Sequence, residues 1–290
     1  MINRFLILLM LCITLLITSC NGSDNNFNAD GPRTGGINND DLCQVSANLK
    51  SALSVSNDID FNEALVESFY RYYTERHVGE GPFHNQELEF LPSFGLGATP
   101  DWNQLSRFIA VVAPATAWME IINDDDCVDR YLPMDTFDDI AQRYFSSLNY
   151  EHRDSDYLRL VNDGYIPTGW SFNDFTYYRL NRISKNPDDS FNAGFDGFTF
   201  WPADVFYPYS DAIYHMDSMS ENMKALLNYA GTETEMTREE LVLEIFLRDD
   251  YRDILTVNET MEVSFSVSNN PECAFVYMSS QRLPEKLDPF

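Results

Sequence analysis

Two histidines and a glutamate flank a glycine-rich bend in the sequence RHVGEGPFHNQE, as His77, His84 and Glu87. Two imidazoles and one carboxylate form a ligand set that Zn²⁺ accepts, although zinc ligands usually lie at tighter sequence spacing. In the alternative interpretation, His77 interacts with the negative end of a helix dipole and His84 lies on a surface loop. The segment is therefore a metal candidate that competes with an ordinary structural role, and the sequence predicts no cofactor.

The stretch from Phe195 to Asp217, FDGFTFWPADVFYPYSDAIYHMD, is a second candidate site because it is rich in aromatic rings and carboxylates. Its prolines disfavour a helix or central strand, so its rings, Phe200 among them, are expected on a structured loop. Such rings could stack on sugar faces while carboxylates accept hydrogen bonds from sugar hydroxyls. The candidate ligand platform consists of Trp201, Asp204, Tyr207, Tyr209 and Asp211. In the alternative interpretation, most of the rings in the stretch pack in the core.

Common catalytic motifs are absent from the sequence. It contains no G-x-S-x-G elbow, no H-E-x-x-H zinc helix, no phosphate-binding P-loop and no S-x-x-K pair. Two oxygen-rich stretches, NFNADG from Asn26 and DDSFNAGFDG from Asp188, are incomplete as calcium loops, and the first lacks the final glutamate of an EF-hand. Absence of these motifs does not exclude an enzyme, but it removes the specific evidence for one.

The N-terminus has the layout of an export signal. Arg4 precedes an apolar run from Phe5 to Ile17, and small residues follow up to Cys20. The run is shorter than the roughly 20 residues that a transmembrane helix needs, so we expect a cleaved signal at residues 1–19. The residues Ile17-Thr18-Ser19-Cys20 resemble the lipobox of bacterial lipoproteins.

The lipoprotein resemblance implies that the chain is cut before Cys20, that the thiol takes a diacylglycerol, and that a fatty acid such as palmitate caps the new amino group. Two or more acyl chains make a stable membrane anchor. Asn21 follows the cysteine, which resembles the enteric lipoproteins released to the outer membrane. The expected location is thus the bacterial cell envelope, at the outer membrane, on its periplasmic or its surface side.

Charge restricts the partners of the mature chain. The sequence has 46 acidic and 19 basic residues, a formal net charge of -27, and no basic stripe of the kind that binds nucleic acid. Anionic headgroups would also repel this surface, so membrane contact is expected through the lipid alone. The remaining partner classes are an envelope glycan or another envelope protein.

Three cysteines other than Cys12 and Cys20 remain, Cys43, Cys127 and Cys273. In an oxidising envelope an odd number favours one disulfide and one thiol, with three possible pairings. We prefer Cys43 with Cys127, because that link would join the first helix to the body. The acidic residues before Cys127 would raise the pKa of its thiol, so a nucleophilic cysteine is not expected there.

Residues 20–41, rich in Asn, Asp and Gly, are predicted to form a flexible tether. Beyond them, four segments carry apolar residues at helical spacing, starting near Asp60, Asp135, Met223 and Thr237. In the first of these helices, Phe61 would begin the buried face. The uncharged run FIAVVAPATAWM, residues 108–119, predicts a buried helix interrupted at Pro114.

Near the C-terminus the spacing changes from helical to alternating. Met261, Val263, Phe265 and Val267 alternate with polar residues before the turn-forming sequence NNPE, which predicts a β-hairpin. A hairpin is marginal alone, so it either packs on the helices or is followed by further strands beyond Phe290, in a longer protein. The predicted fold is mainly α (α+β): an irregular helical domain at 42–255 and a small β-hairpin element at 256–290.

Overall fold

The computed structural model of the protein describes residues 39–54, 59, 61–75, 86–122, 128–145, 148–168, 175–200, 219–231, 236–270 and 273–284. Within these residues the helices are α1 (Asn39–Ser54), α2 (Glu63–Glu75), α3 (Gln86–Phe90), α4 (Trp102–Val112), α5 (Met134–Tyr144), α6 (Glu221–Ala230), α7 (Arg238–Phe246) and α8 (Tyr251–Ile254). The strands are β1 (Met119–Ile122), β2 (Val128–Pro133), β3 (Leu158–Val161), β4 (Gly164–Pro167), β5 (Phe175–Lys185), β6 (Phe191–Phe200), β7 (Glu259–Val267) and β8 (Phe275–Pro284).

The chain divides into two compact units, residues 1–35 with 120–129 and residues 36–119 with 130–290. The side-chain clusters described below all lie in the second unit. Among the helices of the described residues, none has both the length and the apolar character that a membrane crossing requires.

The strands form two four-stranded antiparallel sheets, so the prediction of a mainly helical domain with one small hairpin is wrong. The strand orders are β1-β2-β4-β3 and β5-β6-β7-β8. Strands make up 30% and helices 41% of the described residues, which defines an α+β protein with substantial sheet. The predicted hairpin exists as β7 paired with β8, but β7 also pairs with β6 and thus belongs to the larger sheet.

Strand β6 is covered on both faces, and this hides it from a search for alternating residues. Phe195 belongs to the larger buried cluster, where its ring centroid lies 5.9 Å from that of Phe69 on α2. Phe198 and Phe200 belong to a second buried cluster with α6 and α7. The expectation that Phe200 lies on a loop is wrong, because it is the last residue of β6 and fully buried.

The smaller sheet escaped prediction because its strands β3 and β4 have four residues each, too few to show a period. They are joined by a tight turn at Asn162 and Asp163, and Asn162 takes a positive φ of 54°. Gly164 opens β4 at a point where a Cβ atom would overlap the Leu132 carbonyl oxygen. The close approach of β2 and β4 therefore requires glycine there.

Local helix signals predicted three of the helices correctly. In α5 the apolar residues Phe137, Ile140, Ala141 and Tyr144 are buried. Helix α6 ends at Gly231, whose φ is 69°, and α7 begins with the capping box of Thr237 and Glu240.

Two other helix predictions need correction. At the start of α2 the Oδ1 atom of Asn62 accepts a hydrogen bond from the Leu65 N–H at 3.0 Å. Phe61 precedes the helix and is therefore 41% exposed. The run at 108–119 is helical only to Val112. Past Pro114 it forms a short 3₁₀ turn and then enters β1 at Met119.

Candidate functional site

A partly buried histidine, His152, lies among four aromatic rings in the second unit. Helix α4 positions Trp102 in its first turn, where the Asp101 carboxylate accepts the N–H of Asn103 at 3.0 Å and caps the helix. Helix α5 positions Phe137, and strand β4 positions Tyr165. The ring centroids lie 5.5–6.2 Å from the imidazole and belong to Trp102, Phe137, Tyr150 and Tyr165.

The imidazole of His152 connects a phenol to a carboxylate. Its Nδ1 lies 2.7 Å from the Tyr165 hydroxyl, and its Nε2 lies 3.3 Å from Asp138 Oδ2. The Tyr150 hydroxyl donates to the other oxygen of Asp138 at 2.5 Å. We call these four residues the His152 cluster.

The protons of the His152 cluster can be assigned from its electrostatics. Burial, and secondarily the Asp138 charge, raises the pKa of Tyr165 above its ordinary value, so the phenol keeps its proton. In the tautomer that carries its hydrogen on Nε2, the Tyr165 hydroxyl donates to Nδ1 of His152 and Nε2–H donates to Asp138. Burial and the hydrogen bond to Asp138 likewise raise the pKa of Tyr150.

A hydroxyl, an imidazole and a carboxylate in this order are the parts of a nucleophile relay. In such a relay the hydroxyl must face a substrate, but Tyr165 is fully buried. The groups with access to solvent are the His152 and Asp138 side chains, 22% and 34% exposed. The arrangement can hold residues 150–152 against α5 and β4, but its buried Tyr165 hydroxyl is not placed to act as a nucleophile.

We expect His152→Ala to lower the free energy of unfolding by about 2 kcal/mol, because it leaves a cavity among the rings and removes the partner of the Tyr165 hydroxyl. Arg153→Ala is the matched control, since Arg153 is the exposed neighbour and its guanidinium lies 5.9 Å from the Trp102 ring centroid. Chemical denaturation measures both. Equal stability of the two variants would show that His152 does not hold this segment.

Of the predicted metal ligands, the structure describes Glu87 alone, which is fully buried on α3. Its Oε1 accepts the hydroxyl of Tyr277 and, at 3.4 Å, that of Tyr72. His77 and His84 lie outside the described residues, so the metal prediction stays untested. Within the described ranges no group of three His, Cys, Asp or Glu side chains is placed to hold a metal ion.

Other predicted site residues also lie outside the part of the chain that the structure describes. They are Cys20, Cys127, Trp201, Asp204, Tyr207, Tyr209 and Asp211, and the side chain of Cys43. Cys273 is buried before β8, with its Sγ 3.3 Å from the Ser268 hydroxyl. Asp188 belongs to one of the oxygen-rich stretches. Its carboxylate accepts hydrogen bonds from the N–H and the hydroxyl of Ser190 in the β5–β6 turn, so it has a structural role there.

Sequence reasoning did not single out His152. Its partners Asp138 and Tyr165 lie 14 and 13 positions away, on α5 and β4, and the second of these elements was not predicted. No short motif joins the three residues. The only signal was the composition of the sequence NYEHRD, where a histidine stands among aromatic and charged residues.

Comparison of the chain with protein-family models, with curated proteins and with solved structures gives no match.

Proposed function

We propose that this chain is a lipid-anchored protein of the bacterial envelope, held at the outer membrane, whose folded part is a binding or structural component and not an enzyme. The observation that carries the proposal is the N-terminal order of Arg4, the apolar run Phe5–Ile17, two small residues and Cys20. Each part has the length and chemistry that signal cleavage and lipid attachment at Cys20 require.

Two further observations support a binding or structural role. The strongly acidic composition disfavours nucleic acid and anionic headgroups as partners. The buried carboxylates of Glu87 and Asp196 are bonded to tyrosine, arginine and asparagine side chains of the fold itself, so their contacts contribute to its architecture. The alternative, a glycan-binding or glycan-hydrolysing protein, depends on Trp201, Tyr207 and Tyr209 and stays a hypothesis.

We expect Cys20→Ser to abolish labelling by a fatty-acid probe and to move the protein from the detergent phase to the aqueous phase, because the acyl chains are the only proposed anchor. Cys12→Ala is the matched control. Cys12 lies inside the apolar run and leaves with the signal, so that variant should keep both the label and the detergent partitioning. Unchanged labelling of Cys20→Ser would refute lipid attachment at this residue.

A further inference from the structure

Arg107 on α4 lies close to two aromatic rings, and we call this pair of rings the aromatic clamp. Its guanidinium carbon lies 4.4 Å from the centroid of the Phe90 ring and 5.1 Å from that of Tyr157. Phe90 is buried at the end of α3, and Tyr157 precedes β3, so two different elements provide the clamp. Contact with rings from two elements limits the movement of the guanidinium.

Within the part of the chain that the structure describes, the Nε atom of Arg107 lacks the hydrogen-bond partner that comparable arginines have. Its Nε atom is buried and has no hydrogen-bond acceptor. Elsewhere in the described residues, arginines of similar burial are bonded: Arg238 pairs with Glu239 at 2.8 Å, and Arg282 donates to the Leu88 carbonyl at 2.6 Å and to Glu259. A buried donor without an acceptor costs free energy, so its retention needs a reason.

The missing counter-charge is notable because acidic residues outnumber basic ones 46 to 19 in this chain. Glu89, next to Phe90, has a carboxyl group that interacts with Arg107 electrostatically. Burial raises the pKa of Glu89 to about 8, although Arg282 and Arg107 oppose the shift, so this carboxyl is largely uncharged at pH 7. Among the described residues, Arg107 thus has no ionised carboxylate as an ion-pair partner.

We propose that the clamped Arg107 is the recognition element of a binding site for an oxyanion, the carboxylate or phosphate group of a ligand. A guanidinium presents parallel N–H donors that match either group with two hydrogen bonds. The aromatic clamp fixes this geometry before binding and therefore reduces the entropy lost when the ligand binds. The inference specifies the ligand class of the binding role proposed above. Its test does not involve Cys20, so the two proposals can fail separately.

The test follows the side-chain Nε–H of Arg107 by NMR in the folded protein, with sodium acetate, sodium phosphate and sodium chloride titrated at equal ionic strength. Because this N–H is buried, it should exchange slowly enough with water to be observed. We expect a saturable shift of the signal with acetate or phosphate, with a dissociation constant of about 1–10 mM, and none with chloride. The more effective anion identifies the ligand group.

The Nε–H of Arg252 is the internal control, because it is already bonded to Asp196 at 2.8 Å. Arg107→Lys, which keeps the charge but loses the planar donor pair, should weaken binding at least about tenfold. If Arg107→Lys does not fold, the Nε–H signal of Arg107 is assigned through its covalent bonds in the wild-type protein. The anion titrations of the wild-type protein then decide the test. Equal shifts at Arg107 and Arg252, equal shifts with chloride, or no saturable shift would each overturn the proposal.

Discussion

Asp196→Ala is expected to lower the free energy of unfolding by about 3–5 kcal/mol. The Asp196 carboxylate is fully buried, and its removal would leave the groups that donate hydrogen bonds to it without an acceptor. Asp196 lies on β6 and accepts the Tyr251 hydroxyl at 2.6 Å and two N–H groups of Arg252 at 2.8 and 2.9 Å. Asn181 on β5 donates to the same carboxylate at 2.6 Å. One side chain therefore connects two strands to α8.

A surface pair on the same sheet provides the control for Asp196. Glu262 on β7 pairs with Arg182, whose side chain is 67% exposed, and such pairs contribute at most about 1 kcal/mol. Glu262→Ala should therefore change stability little. The stability loss of Asp196→Asn should fall between those of Asp196→Ala and Glu262→Ala. Asparagine keeps the shape of the side chain but turns an amide N–H₂ toward other donors. Chemical denaturation that found equal losses for Asp196→Ala and Glu262→Ala would contradict the assigned role of the buried carboxylate.

Glu89→Gln is expected to stabilise the protein at pH 8 and to have little effect near pH 4.5. Burial raises the pKa of Glu89 from 4.5 to about 8 in the folded protein. Between these values the folded state keeps a proton that the unfolded state has lost, so the stability contributed by Glu89 falls as pH rises, by up to about 1.4 kcal/mol per pH unit. Glutamine mimics the protonated form and removes this loss.

Partial exposure of Glu89 reduces the full effect, and we expect a gain of about 1–3 kcal/mol at pH 8. Denaturation of the wild type and of Glu89→Gln between pH 4.5 and 8.5 measures the difference in their free energies of unfolding. The titration of all other carboxylates contributes equally to both proteins and cancels in this difference. Glu221→Gln is the control, because this side chain is 79% exposed at the start of α6. A difference between wild type and Glu89→Gln that does not grow with pH would show that Glu89 ionises normally.

Helices were predictable where local signals agreed. In α5 the spacing of Phe137, Ile140 and Tyr144 is helical, and in α7 the capping box of Thr237 and Glu240 marks the start. The hairpin of β7 and β8 was predictable, but the complete sheets were not, because β2 with β4 and β6 with β7 pair across long sequence separations. β6 contains Gly194 and Gly197 and is buried on both faces, so neither its composition nor its periodicity resembles a half-exposed strand.

The clusters were unpredictable for the same reason. His152 meets Asp138 and Tyr165 only after α5 and β4 have packed. Arg107 is clamped by rings from α3 and from the segment before β3, and no spacing rule connects them. By contrast, the anchor prediction at Cys20 needs no tertiary structure, since signal cleavage acts on a short continuous sequence.

Mass spectrometry of the mature N-terminal peptide tests the proposed anchor most directly. Trypsin should release the peptide Cys20–Arg33 from membrane-extracted protein, because no other basic residue lies between these positions. We predict that the peptide begins at Cys20 and carries a diacylglycerol on the thiol together with a fatty acid on the amino group. A peptide that begins at Phe5, as trypsin would release from an uncleaved signal by cutting after Arg4, or one in which Cys20 is unmodified, would contradict the account.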